Sequence, residues 1–540
     1  MKRIYTILLS LLFVGCTDLD IVPVDASTEF EIFKDSEAYK SYLAKLYAAY
    51  SQTGQDGPAG DADISIVNDE GFTSYIRAYW KAQELTTDEA VIAWADAGIR
   101  DLHEQSWTSE NQFVRVLYYR ISLIITIAND FLKQSTDEKL ATNGISDAAS
   151  KAVIQQYRAE ARFLRALAYW HALDLFRNVV LLTDITAGFP VQSTPAELFA
   201  FIESELAEIE PIIADPKTNQ YGRADKAAVW MLQAKLYLNA EVYINEPKYT
   251  EVITACNKVT SVGYSLNTDY QSLFLADNNT SNEIIFALNS DGKNTQNWGN
   301  TTFLIHGAMG GFMVDGIVDG TENDAIPTPY LTEELDTYGV TAGWAGLRTT
   351  RTMVEKFGPD PANPVDPRAI FYTNGQTLDI ADITEFTEGI AVPKYKNLTS
   401  NGIPGSDLTH ADTDYPMFRL ADAYLMYAEA VLRGGTGGDM ATALGYINDL
   451  RFRAFGNNSG DVAAADVTLD FILDERVREL YWEATRRVDL IRYARYTDAG
   501  VWPWKGNVAA GQTTEAFRNV FPIPASDLIA NPNLVQNPGY

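Results

Sequence analysis

Four histidines, two cysteines and 72 acidic side chains are the residues of this 540-residue chain best suited to covalent or metal chemistry. His103, His171, His306 and His410 show no H-E-x-x-H or paired spacing, and no G-x-S-x-G elbow, phosphate loop or dinucleotide glycine pattern is present. Glycoside hydrolysis needs only two suitably spaced carboxylates, so composition leaves that reaction open. The run "DNNTSNE" at 277–283 offers oxygens of the kind calcium takes. It lacks the glycine and terminal spacing of an EF-hand loop and reads as a solvated Asx-rich turn. His171, on an alanine-rich helical stretch, and Cys256, within "YTEVITACNKV", read as packed core residues. No metal and no cofactor is expected.

Non-covalent recognition leaves a clearer trace. A sugar offers hydroxyls at its edges and apolar C–H faces above and below the ring. Its site therefore needs an exposed flat aromatic flanked by Asp, Asn, Gln or Arg. Two regions supply that combination. "NDEGFTSYIRAYWKAQELTTDEAVIAWADAGIRD" contains Asp69, Arg77, Trp94 and Asp96, and "SDGKNTQNWGNTTF" sets Trp298 among glycines and polar residues, with Gln296 two positions before it. A tryptophan with so few apolar sequence neighbours is either a recognition residue or a loop anchor pressed onto the body. Trp107, Tyr118 and Tyr119 lie in or beside helical pattern and read as core, and Trp502 and Trp504 in "VWPWKGN" read as a loop packed on the body.

These residues must be positioned by a large scaffold. Hydrophobic residues make up 46% of the chain, enough for a sizeable core, and the formal net charge is −30. Such a field repels phosphate backbones and anionic lipid, so nucleic acid is excluded as a partner and any membrane attachment must come from acyl chains. The first residues supply a means. Lys2 and Arg3 precede an apolar run, Ile4 to Val14, too short to span a bilayer. Gly15 and Cys16 follow, as in a bacterial lipobox, with Phe13 where leucine is usual. Residues 1–15 read as a lipoprotein signal peptide and Cys16 as the acylated residue. With Cys16 acylated, Cys256 has no disulfide partner.

Helical periodicity dominates the remainder. "QQYRAEARFLRALAYWHALDLF" places Tyr157, Ala161, Leu164, Ala168 and His171 on one stripe, broadened by Leu167 and Leu175. "RADKAAVWMLQAKLYLNAEVY" and "FRLADAYLMYAEAVLR" repeat the pattern, and each is followed by a second helical stretch. Such pairs resemble tetratricopeptide units, although they are not contiguous. The fold expected is mostly α, with helix pairs over about 30–262 and 416–495. Between about 263 and 415, Gly, Asn, Asp, Thr and Pro become dense. That stretch reads as a loop-rich insertion carrying short strands, "EIIFALN" and "TTFLIHGAM" among them.

Several of these stretches together resemble the SusD-like (RagB/SusD) family of outer-membrane nutrient-binding lipoproteins. The resemblance is carried by "AEARFLRALAYWHALDLF", "GRADKAAVWMLQAKLYL", "PMFRLADAYLMYAEAVL" and "INDLRFRA", by "DERVRELYWEATRRVDLIRY", and by "FPIPASDLIANPNLVQNPGY" within 518–540. It extends over essentially all of 16–540. The resemblance implies a helical body of four tetratricopeptide-like pairs with irregular loops forming the ligand face. It also implies a cell-surface lipoprotein that captures glycan for a SusC-like TonB-dependent transporter in the outer membrane. Asp18 and Asp20 resemble the export signal that follows the lipidated cysteine in such proteins. Starch-binding members resemble this chain in both aromatic regions, which implies a starch-type α-glucan ligand held by Asp69, Arg77, Trp94, Asp96, Gln296 and Trp298 at exposed positions. A protein-interaction scaffold and a glycoside hydrolase are the alternative readings.

Overall fold

The computed structural model describes residues 32–184, 188–310, 313 and 337–540. The leader, Cys16 and the two aspartates after it lie outside the described residues. The principal helices and strands in chain order begin with α1 (Ser36–Ser51), α2 (Tyr75–Trp80), β1 (Val91–Ile92), α3 (Gln112–Gln134) and α4 (Ala148–Phe176). Next come α5 (Pro195–Ile209), α6 (Lys226–Leu238), α7 (Tyr249–Thr260), β2 (Ile284–Leu288) and α8 (Asn300–Gly307). The last are β3 (Leu347–Arg348), β4 (Tyr415–Arg419), α9 (Leu420–Leu432), α10 (Met440–Phe455), α11 (Leu469–Leu480) and α12 (Arg486–Arg492). β1 pairs with β3 and β2 with β4, both antiparallel.

Helices pack as neighbours in pairs: α3 on α4, α6 on α7 and α9 on α10, with α7 and α6 bridging to α9. Small residues permit the close approach, since Ala161, Ala166, Ala168 and Ala172 of α4 are all buried. The stripe read from the sequence is too narrow for α4, because α1, α3 and α5 all pack against it. From Ala159 to Phe176 only Arg162 retains part exposure. Arg165 in that stretch is bonded inside: it donates to Asn129 (2.7 Å) and to Glu205 (2.7 Å). The helix starts are capped locally. Asp147 accepts from the Ser150 amide, and Thr194 and Glu197 form a reciprocal capping box at the head of α5.

"TTFLIHGAM" is not extended: its residues form most of α8. Its β-branched Thr and Ile suggested a strand, but all eight residues of the helix are buried, so no polar face marks its period. α8 packs on α2, and this contact brings the loop-rich region against the helical body.

The segment "DERVRELYWEATRRVDLIRY" folds as a charged interior. Arg419 of β4 bonds Glu283 (2.9 Å), Glu479 (2.6 Å) and Glu483 (2.6 Å). Arg368 bonds Asp366 (2.6 Å), Glu475 (2.8 Å) and Glu479 (3.0 Å). Arg486 grips Asp88 (2.7 Å), Arg487 bonds Asp174 (2.9 Å), and Arg492 bonds Glu429 (2.6 Å). All of these groups are buried. Such pairs add little over an apolar core of equal shape, but removing one partner strands a charge at a cost of roughly 3–5 kcal/mol.

Candidate functional site

Residues 69–81 build the floor of the site. Asp69 caps a single 3₁₀ turn, Glu70–Thr73, by accepting the Gly71 amide at 2.8 Å. α2 follows and runs into one π-type turn, Lys81–Leu85, so Arg77 and Lys81 emerge one turn apart on the same face. Arg77 is buried, 5% exposed. Its Nη1 donates to the Trp298 carbonyl at 2.8 Å, and its guanidinium carbon lies 4.8 Å from the Phe72 ring centroid and 5.1 Å from that of Phe303. The rings of Trp94 and Trp344 are 5.8 and 5.9 Å from it. Burial lowers the Arg77 pKa to about 10, opposed by the carboxylates of Asp69 and Asp96. It is therefore a cation at neutral pH, with Asp69 at 3.9 Å.

Two tryptophan rings and the backbone carbonyl of a third tryptophan border this cation. The loop carrying Trp344 is fastened to α8: the Trp344 amide donates to the His306 carbonyl (2.8 Å) and the Gly346 amide to that of Gly307 (3.1 Å). Trp94 Nε1 donates to the Trp344 carbonyl at 2.8 Å. Ring centroids are 6.3 Å apart between Trp94 and Trp344 and 6.1 Å between Trp344 and Trp298, at interplanar angles of 48° and 53°. Trp344 thus stands between the other two, and the tilts bend the row. Behind it the His306 ring stacks at 4.8 Å and 18°, and His410 lies 4.7 Å from the Trp298 ring. All three indoles are half-buried, with part of each left open. Two glycines make room. A Cβ on Gly71 would sit 2.6 Å from Arg77 Nη1 and 2.7 Å from Trp298 Cβ, and one on Gly346 would sit 2.5 Å from the Trp94 ring.

The structure brings Asp69, Arg77, Trp94 and Trp298 together, and Asp96 close enough for its charge to act on Arg77. Arg77 departs from the expectation of exposure: it lies under the aromatic row, because four rings and a backbone carbonyl enclose it. Gln296 does not join them, since its side chain donates back to the Gly292 carbonyl (2.8 Å) of its own loop. Trp344 is absent from the residues singled out in the sequence. Its context, "TAGWAGL", shares a flanking glycine with Trp298 but not its polar neighbours, and glycine is the one signal that could have found it. Lys81 is a second addition. It is buried, its amine lies 4.3 Å from the Phe113 ring centroid and makes no hydrogen bond among the described residues, and burial holds its pKa well below the usual lysine value.

The other aromatic and polar sequence candidates are occupied elsewhere. Trp107 and Tyr118 are core, Trp502 is buried, and Trp504 Nε1 donates to the Ile380 carbonyl. In the 277–283 turn, Asp277 accepts from Ser400, Asn282 donates to Ser265, and Glu283 pairs with Arg419. Among the described residues no group of three His, Cys, Asp or Glu side chains is arranged to hold a metal ion.

A row of tilted indoles over a buried cation, with an exposed carboxylate at its edge, can stack successive sugar rings and bond their hydroxyls. Comparison with known proteins agrees with the architecture. The SusD family model matches residues 365–540. The chain is 36% identical to the starch-binding protein SusD of Bacteroides thetaiotaomicron, over 97% of this chain and 95% of that protein. It is 26% identical to SusD-like protein P25 of Formosa agariphila, over 73% of this chain and 75% of that one. Surface glycan-binding protein A from Bacteroides fluxus matches the fold with a TM-score of 0.70 at 19% identity, over 93% of this chain and 99% of that one. The protein of the same name from B. thetaiotaomicron, solved in complex with laminarihexaose, matches at 0.68 and 18%, over 93% and 99%.

Proposed function

The chain belongs to the SusD family, and from that premise we propose that it binds a glycan, of the α-glucan type, on Trp94, Trp344 and Trp298. The observation that carries the reading is the tilted row of three half-open indoles held over Arg77. The starch-binding name of the 36% identical relative supports the choice of α-glucan. A pyranose face on an indole removes on the order of 50 Å² of apolar surface, about 1 kcal/mol. Two or three stacks with a few hydrogen bonds must first offset at least ~4 kcal/mol of association entropy. A short oligosaccharide is then held with micromolar to millimolar affinity, ~4–8 kcal/mol. Weak binding of this kind suits capture and hand-over, and the recipient in this reading is a SusC-like TonB-dependent transporter in the outer membrane. The protein is held at the cell surface by acyl chains on Cys16. Among the described residues no helix is long and apolar enough to cross a membrane.

Affinity electrophoresis against a polysaccharide panel tests the reading. Retardation by amylopectin with no release of reducing sugar is the expected result. Retardation by no polysaccharide would leave a protein-interaction scaffold, and steady sugar release would make the chain a hydrolase. Attachment is tested by palmitate labelling, which Cys16→Ala abolishes if Cys16 is the anchor. Mild-detergent pull-down is expected to bring the transporter along.

A further inference from the structure

A second concave surface lies beside the tryptophan row. It is a cleft of about 290 Å³ between α1, the 220–223 turn and the end of β2, near the lower end of the range for small-molecule sites. Leu43 and Leu288 form an apolar base. Tyr47 and Tyr221 supply aromatic walls, and both phenols are tied down. The Tyr47 hydroxyl donates to Glu160 (2.7 Å) and accepts from the Ala224 amide (2.9 Å), while that of Tyr221 is hydrogen-bonded to buried Asp414. Tyr221 nevertheless keeps 38% of its surface exposed. A ring fixed at its hydroxyl with an open face gives stacking area at little entropic cost. At the rim, Gln220 and Asn289 are exposed, and their side-chain amides are free to bond hydroxyls. Of the cleft's two cations, Arg223 is spent on Glu160 at 2.9 Å and Lys40 lies 3.6 Å from Glu37, so both already face a carboxylate and the pocket suits a neutral ligand rather than an anion.

The cleft lies close to one end of the tryptophan row. Ser51 and Thr295 line it, and Asn297, beside Trp298, donates to the Ser51 carbonyl at 2.9 Å. Two residues separate Thr295 from Trp298, a span of at most ~11 Å. We infer that this cleft is an additional pyranose-binding subsite that takes a ring of the same neutral glycan beyond those stacked on the tryptophans, so that longer oligosaccharides are preferred. This inference rests on the glycan-binding reading above.

Calorimetry with maltotriose and maltoheptaose, on wild type, Tyr221→Ala, Asn289→Ala and Trp344→Ala, tests it. Tyr221→Ala is expected to weaken maltoheptaose roughly fivefold, the loss of one stack, and to leave maltotriose unchanged. Asn289→Ala, which disturbs no buried partner, should shift maltoheptaose in the same direction, and Trp344→Ala should weaken both ligands. Equal affinity of wild type and Tyr221→Ala for maltoheptaose overturns the subsite while leaving the tryptophan row standing. So does a Tyr221→Ala protein with a lowered melting temperature that loses both ligands alike while Asn289→Ala loses neither. A wild type that binds neither saccharide overturns both the subsite and the α-glucan reading.

Discussion

Trp344→Ala is the most informative single change in the tryptophan row. The bond from Trp94 Nε1 goes to the backbone carbonyl of residue 344, so truncation leaves Trp94 anchored. What is lost is the indole ring itself. That ring occupies the middle of the row, about 6 Å from either neighbour, so its loss removes one stack and breaks the contact of a saccharide bridging the other two. At ~25 cal/mol/Å² this amounts to about 1–2 kcal/mol, or roughly five- to thirtyfold in Kd. The same ring packs one face on His306. A fully buried Trp→Ala change costs ~3–5 kcal/mol, and for a half-buried ring about half of that is expected, which lowers the melting temperature without unfolding the protein. Trp107→Ala is the control. Trp107 is fully buried and bonds Tyr540, so its truncation should cost more stability and no affinity. The assay is calorimetry with maltoheptaose beside thermal melts. A Kd within twofold of wild type for Trp344→Ala, with a lowered melting temperature, would show that Trp344 is only a packing residue, and the site assignment would fall.

Gly71→Ala places a methyl group within 3 Å of both Arg77 Nη1 and Trp298 Cβ, so it should shift Trp298 and weaken glycan binding severalfold with little change in melting temperature. Equal affinity would mean that the 69–73 turn does not set the position of Trp298. Glu429, bonded to Arg492 and Arg433, has its pKa lowered to about 2 by those cations despite the opposing effect of burial. Between pH 4.5 and 2 the unfolded state then binds the extra proton. This stabilisation, on the order of 3 kcal/mol, is complete above pH 4.5 and lost as the pH falls toward 2. Chemical denaturation across that window should show a shallower acid slope for Glu429→Gln, although its stability at neutral pH is lower because Arg433 and Arg492 lose their shared carboxylate, Arg492 keeping only Asp489. An unchanged slope would place the acid sensitivity elsewhere.

The helix pairs were legible because alanine and leucine recur at helical intervals in α4, α6 and α9, and that spacing depends on local geometry alone. α8 was not, since a short helix buried on every side carries no polar face to set its phase. At the site, Trp298 stood out by its polar surroundings and Trp94 by the Asp and Arg residues of its region, whereas Trp344, among alanines and glycines, carries no such polar flank. Arg77 shows the limit of such reading. Whether an arginine beside aromatics is exposed or enclosed depends on which rings arrive from Phe303 and Trp344, more than 200 residues away in sequence. The charged segment at 474–493 was notable for its composition, but nothing local reveals that its arginines and glutamates are interior. That follows from Glu283, Asp366 and Arg419 meeting them in three dimensions.

The pair between Asp88 and Arg486 joins positions 398 residues apart. Glu84, Asp88 and Glu89 are all buried in the finished protein; burial pushes Glu84 and Glu89 above the usual carboxylate range, and an N-terminal portion made alone would lack the arginine that offsets Asp88. Closing that part of the core early is therefore unfavourable, and the ordering of so long a loop must precede the contact that rewards it. That corner of the core can therefore close only after residue 486 has been made.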